Sequence, residues 1–165
     1  VLLAVYRNLG GEMGDDQILE GINRGTLVPG GSCAFMGTCG AAVGVGIAFG
    51  VILESTPLKA EPRRIVQSIV AETLERICSK NAARCCRREA HWAFVTAAEK
   101  SAEYLPVTIR ADLWTSCDRW DRNEFCIRAS CPFYDREPDS IVHEAGRAFG
   151  QSSLVNRFLR EVPEK

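Results

Sequence analysis

Apolar residues recur along most of this chain at helical spacing. Residues 1–9, opening Val1-Leu2-Leu3-Ala4-Val5-Tyr6, form an expected first helix stopped by Gly10-Gly11. Asp15 and Asp16 open a second, with Ile18, Leu19 and Ile22 on one face and Gly25 as its stop. Val28-Pro29-Gly30-Gly31-Ser32 is an expected loop. From Gly40 to Leu53 the chain is apolar on all sides. These 14 residues are too few to cross a bilayer and suit a buried central helix. Gly40 with Gly44, and Gly46 with Gly50, fall at i, i+4 spacing, which predicts two smooth patches where neighbours approach closely. Glycine costs a helix about 1 kcal/mol per site relative to alanine, so close packing or a cofactor is the expected compensation.

Thr56-Pro57 closes that element and Glu61-Pro62 starts the next. Ile65, Ile69, Val70, Leu74 and Ile77 carry its helical period. A further helix runs from about Ala83 to Tyr104 and ends at Pro106. Val107-Thr108-Ile109 has the composition of a short strand. Residues 111–137 show no clean period, and a last amphipathic helix is expected over Ser140–Arg160. The fold class that follows is mostly α. It is a single-domain helical bundle around a buried Gly/Ala-rich central helix, with an irregular cysteine-containing segment near the C-terminal third. The expected organisation is a cysteine-rich domain over residues 1–137 and a helical extension over 138–165.

Composition changes this picture in one respect. The apolar fraction of 46%, the charged fraction of 25% and the net charge of −1 describe an ordinary globular protein with no global field for nucleic acid or anionic membrane. Eight cysteines do not fit that ordinariness. A chain of this length buries a core without disulfide staples. No secretory signal is visible, so a reducing cytoplasm is the expected compartment, where clustered thiols serve metals or catalysis. The chain opens on Val1 rather than Met, so ligands lying upstream are a further possibility.

The cysteines fall into groups. Cys33 and Cys39 flank the turn that enters the apolar helix, and unpaired N–H groups there favour a thiolate at Cys39. The plain alternative is a tight packing site with two buried thiols. Cys85 and Cys86 sit in the first turn of their helix between Arg84, Arg87 and Arg88, which again favours thiolates. Those arginines are otherwise a solvated face. Cys117, Cys126 and Cys131 include one C-x4-C spacing, short of a four-ligand framework. Cys78 or His91 are candidates for the missing ligand. Cys78 ends a periodic apolar face and is expected in the core. No nucleotide loop, G-x-S-x-G or H-E-x-x-H motif occurs.

The run Cys39-Gly40-Ala41-Ala42-Val43-Gly44 resembles the C-G-A-x-x-G element of redox-active proteins named for a C_GCAxxG_C_C cysteine pattern. A longer run resembles the DUF5714 family of archaeal and anaerobic bacterial proteins more closely. It joins Leu2-Leu3-Ala4-Val5-Tyr6-Arg7-Asn8, Pro29-Gly30-Gly31-Ser32-Cys33, the Cys39 element, Arg84-Cys85-Cys86-Arg87-Arg88, Cys126 and Cys131-Pro132-Phe133. The similarity covers roughly residues 1–135. It implies a cysteine-rich protein of redox or iron–sulfur type, without an assigned reaction. Carried over by position, the matching residues are Cys33, Cys39, Cys85, Cys86, Cys117, Cys126 and Cys131. Family members often have a longer N-terminal part with a His-rich segment, which this sequence lacks.

The expected function is a thiolate-ligated iron–sulfur or metal site used in electron transfer or thiol redox work. Cys33, Cys39, Cys85 and Cys86 are its cofactor ligands, and Cys117, Cys126 and Cys131 form a second metal group or cap the first. Zinc is the alternative cofactor, in a structural or protein-interaction module. A thiol–disulfide oxidoreductase is the third reading. The expected partner is a redox protein or an upstream domain of the same polypeptide, with neither nucleic acid nor membrane involved.

Overall fold

The computed structural model describes residues 1–111, 117 and 119–134. The helix expected over Ser140–Arg160, with the rest of the expected extension, lies outside the described residues. The chain divides into two compact units, Val1–Ala111 and Asp112–Lys165.

The first unit is all helix and connection. Its elements are α1 (Leu2–Asn8), α2 (Asp15–Thr26), α3 (Ser32–Phe35), α4 (Gly40–Ile52), α5 (Ala60–Cys78) and α6 (Cys86–Tyr104). The chain is mostly helical, as its periodicity predicts. The apolar helix α4 contacts α1, α2, α5 and α6, and α5 also packs on α6. Four helices thus supply the main core, where Tyr6, Val45, Phe49, Ile65, Ile69, Ala93 and Ala97 meet. On α5 the buried positions Ile65, Ile69 and Thr73 are four residues apart, so one stripe faces inward. Outside the core, Arg76 of α5 pairs with Glu72 at 2.8 Å and reaches Glu99 of α6 at 2.5 Å, while Lys100 of α6 returns to Glu72 at 2.9 Å.

Two local expectations are corrected, and the burial of α2 adds a third observation. The loop expected over Val28–Ser32 stops at Gly31, because residues 32–35 close one turn of helix. Gly31 makes this possible at φ +85, a backbone angle that favours glycine. Val107–Ile109 is not a strand. Instead the Ile109 N–H donates to the buried Ser101 Oγ at 2.7 Å, which satisfies the backbone from a side chain and removes the need for a pairing strand. On α2 no residue is buried; Leu19 and Ile22 are each 56% exposed.

The glycines of α4 also differ from one another. A Cβ at Gly46 would fall 2.4 Å from Val70 Cγ2, so this glycine admits α5 at close range. A Cβ at Gly44 would meet nothing within 4 Å. Of the two expected close-packing patches, the one containing Gly44 is open at Gly44, while a Cβ at its other member, Gly40, would make only ordinary contact with Val28 Cγ1 at 3.8 Å. Gly46→Ala is expected to overpack the α4–α5 contact and cost about 1–3 kcal/mol. Urea unfolding measures this; an unchanged midpoint would mean Val70 moves aside freely.

In the second unit, Cys117 pairs with Tyr134 in an isolated parallel bridge, its N–H donating to the Phe133 carbonyl at 2.7 Å. Trp120 meets Tyr134 edge-on at 5.5 Å, and the Arg128 guanidinium lies 4.9 Å above the Trp120 ring. Arg128 takes φ +45, and its N–H donates to Cys126 Sγ at 3.4 Å. The Cys131 N–H donates to the Arg128 carbonyl at 2.7 Å. Ring contacts and backbone hydrogen bonds therefore order the described part of this segment.

Candidate functional site

Cys39 is the N-cap of α4 and Cys85 the N-cap of α6. Cys39 is buried at 6% exposure, and its thiol donates to Glu89 Oε2 at 3.3 Å. The other oxygen of the same carboxylate, Oε1, accepts the Cys85 backbone N–H at 3.3 Å. Glu89 thus joins the starts of two helices across 50 residues of sequence. It is itself buried, as is the adjacent Arg88, whose Nη2 lies 3.8 Å from Glu89 Oε1 and donates to the Ala83 carbonyl at 3.3 Å. Arg88 Nε is buried with no hydrogen-bond partner.

Local sequence accounts for this convergence. Residues buried along α6 include Glu89, Trp92, Ala93, Thr96, Ala97 and Ser101, which fall on one face at helical spacing. Glu89 is the first-turn member of that face, and its carboxylate folds back to an N–H that the helix leaves unpaired.

The electrostatics reverse one expectation. The helix start was expected to favour a Cys39 thiolate, and the N–H groups of Ala41 and Ala42 do pull its pKa down. Burial pushes the thiol up by more, and the Glu89 carboxylate pushes the same way through its hydrogen bond and its charge. The thiol therefore holds its proton above the ordinary thiol range. Burial, followed by the charge of Arg87, lowers the pKa of His91.

The predicted cysteines fall in distinct settings. Cys39 and Cys85 are linked through one carboxylate, with Cys85 half-buried. Cys33 on α3 and Cys86 in the first turn of α6 are exposed. Cys117, Cys126 and Cys131 are half-buried in the second unit. Cys78 is not a core thiol: it is exposed at the last turn of α5, its Sγ 3.4 Å from the Glu75 carbonyl oxygen. The apolar face of α5 has run out by then, and the thiol turns back onto its own helix. Among the described residues, no group of three or more His, Cys, Asp or Glu side chains is gathered as metal ligands would be.

Glu89 and Arg88 are the residues that cysteine spacing did not reveal. The available signal was an acidic residue in the first turn after Cys85, one position beyond the place where a capping-box carboxylate stands.

Fold and site define a helical, cysteine-rich protein with a buried thiol–carboxylate pair at the junction of two helix N-termini. Residues 1–134 match the model of a family of unknown function, DUF5714, and the chain belongs to that family. Comparison with curated proteins finds no match, and comparison with solved structures finds none. Among the described residues, no helix is long and apolar enough to cross a membrane.

Proposed function

We infer that the protein carries out thiol-based redox chemistry, with Cys39 as the buried thiol, Glu89 as the acceptor of its proton and Cys85 as the more accessible partner. The observation that carries this reading is the 3.3 Å contact between Cys39 Sγ and Glu89 Oε2, from which both groups are shielded from bulk water. A thiol becomes a nucleophile only after losing its proton, and a carboxylate at hydrogen-bond distance is placed to take it. The N–H groups of Ala41 and Ala42 then stabilise the thiolate.

The sequence of steps uses a disulfide in a partner molecule as oxidant. The Cys85 thiolate attacks one sulfur, forming a mixed disulfide and releasing the partner's other sulfur as a thiolate, which takes up a proton. Cys39 passes its proton to Glu89 and attacks the Cys85 sulfur. The bond between Cys39 and Cys85 forms, the mixed disulfide breaks, and the second partner sulfur leaves with the proton from Glu89. Two electrons and two protons pass from this dithiol to the partner.

Titration in glutathione buffers, followed by disulfide mapping with mass spectrometry, tests the reading. A Cys39–Cys85 disulfide is the expected oxidised form, and Cys39→Ser should trap glutathione on Cys85. Glu89→Gln separates proton transfer from charge. If Glu89 takes the proton, this variant slows resolution of the mixed disulfide at least tenfold. If Glu89 acts only through its charge, the Cys39 pKa falls and resolution at neutral pH speeds up, which removes the base from the scheme. Oxidised protein in which Cys39 stays a free thiol would sink the dithiol pair. Iron with acid-labile sulfide in anaerobically prepared protein, made with cluster assembly supported, would turn the reading to an iron–sulfur protein. Tightly held zinc without iron would turn it to a zinc module.

A further inference from the structure

Positive charge gathers where α6 begins. Between Lys80 and His91, the side chains of Lys80, Arg84, Arg87 and Arg88 stand against one carboxylate, Glu89. Both oxygens of that carboxylate are engaged, one with the Cys39 thiol and one with the Cys85 N–H. Arg84 and Arg87 are exposed on either side of the two cysteines, of which Cys85 is half-buried and Cys86 exposed. We propose that the disulfide attacked by Cys85 is anionic, carrying carboxylates beside its sulfurs. This substrate class rests on the redox role of Cys85.

Arg88 carries charge that its neighbours do not balance. It is 4% exposed, and its Nε has no hydrogen-bond partner. Glu89 Oε1 stands 3.8 Å from Nη2, beyond hydrogen-bond range. Nη2 instead donates to the carbonyl of Ala83, just before the Cys85 N-cap. The guanidinium is therefore held against the chain that leads into α6. A buried charge without a close partner is costly, and an anion arriving at the helix start supplies the missing balance. The helix adds to this: α6 is 19 residues long, and N–H groups at a helix start favour an anion there. His91 reports the sign of the field independently. Burial lowers its pKa, and the charge of Arg87, one turn back on the same face, lowers it further.

Such a field sorts disulfides by charge. A carboxylate beside the attacked sulfur is drawn to Arg84 and the helix start, and an ammonium in the same place is repelled. Cys33 is the contrast within the same chain. It is exposed, and no charged residue lies between Pro29 and Thr38.

The test alkylates the full reduced chain with anionic iodoacetate or neutral iodoacetamide, and maps the product at each cysteine by tandem mass spectrometry. At low salt the iodoacetate-to-iodoacetamide rate ratio at Cys85 should exceed that at Cys33 by about threefold or more, and about 0.5 M sodium chloride should remove the difference. Arg84 is exposed, so substitution there spares the fold. Arg84→Glu should lower the Cys85 ratio about fivefold, and Arg84→Lys should keep it. Exchange at Cys85 is then compared between dithiodipropionate, a dianion, and bis(hydroxyethyl) disulfide, which is neutral. Arg84→Glu should lower the ratio of the first rate to the second by about fivefold. A peptide disulfide flanked by glutamates, set beside dithiodipropionate, tells a peptide source of the carboxylates from a small molecule by which exchanges faster. A Cys85 alkylation ratio no higher than that of Cys33, or one that Arg84→Glu leaves unchanged, overturns the proposal. Anion-selective alkylation without exchange on any disulfide removes the redox role of Cys85, and the substrate class with it.

Discussion

Glu89→Ala is expected to destabilise the fold by about 3 kcal/mol, in the range for removing one partner of a buried ion pair. The carboxylate lost by this substitution serves three groups. Arg88 would be left 4% exposed with its charge uncompensated, Cys39 would lose its acceptor, and the Cys85 N–H would lose its cap. The 3.8 Å separation from Arg88 is loose, so the pair itself adds little net stability; the cost lies in stranding its partner. Replacing both residues with methionine should therefore lose less than Glu89→Ala alone. Urea unfolding at neutral pH measures all three proteins. A loss below about 1 kcal/mol in Glu89→Ala would mean that water reaches Arg88 and relieves it. The same site sets a pH dependence. Because the folded state raises the Cys39 pKa, the folded chain binds more protons than the unfolded one above the ordinary thiol range. The stability contributed by this group is complete below that range and is lost as pH rises through the raised value. Cys39→Ser should flatten that alkaline slope.

Phe49→Ala should cost about 3–5 kcal/mol, the usual result for emptying a fully buried aromatic position. Phe49 is 0% exposed and belongs to the cluster that joins α1, α4, α5 and α6. Its ring lies on the helix that the others share, so a cavity there loosens several interfaces together. The comparison is Phe94→Ala on α6, where the ring is 39% exposed and much of the transfer energy was never gained. Thermal unfolding should separate the two variants clearly. Equal losses would mean that α4 collapses onto the void and that the core is plastic at this point.

Periodicity made the helices legible. The stripe Ile65, Ile69 on α5 and the all-apolar run of α4 each state a helical environment in residue spacing alone. The start of α4 at Gly40 was legible too, whereas α6, expected from about Ala83, begins three residues later at Cys86 with Cys85 outside it as the N-cap. The partner of Cys39 was not legible. Glu89 is 50 positions away, and only the packing of α6 on α4 brings it near. The direction of the Cys39 pKa was missed for a related reason: helix N–H groups can be read from sequence, whereas burial and a distant carboxylate cannot. Cys78 was misplaced because its apolar neighbour Ile77 suggested a continuing face, where α5 in fact ends. The division of labour among four α4 glycines was likewise hidden, since spacing gives a patch but not what lies opposite it.

The uneven exposure of the thiols has a consequence for the protein's behaviour in air. Cys33, Cys78 and Cys86 are open to solvent, while Cys39 is enclosed and protonated. Oxidative damage follows access and thiolate character. Chain-to-chain disulfides and glutathione adducts should therefore gather first on those three outer positions, giving ladders on non-reducing gels while the inner pair survives. Alanine at the three positions would yield a preparation whose remaining redox behaviour can be assigned to fewer sulfurs.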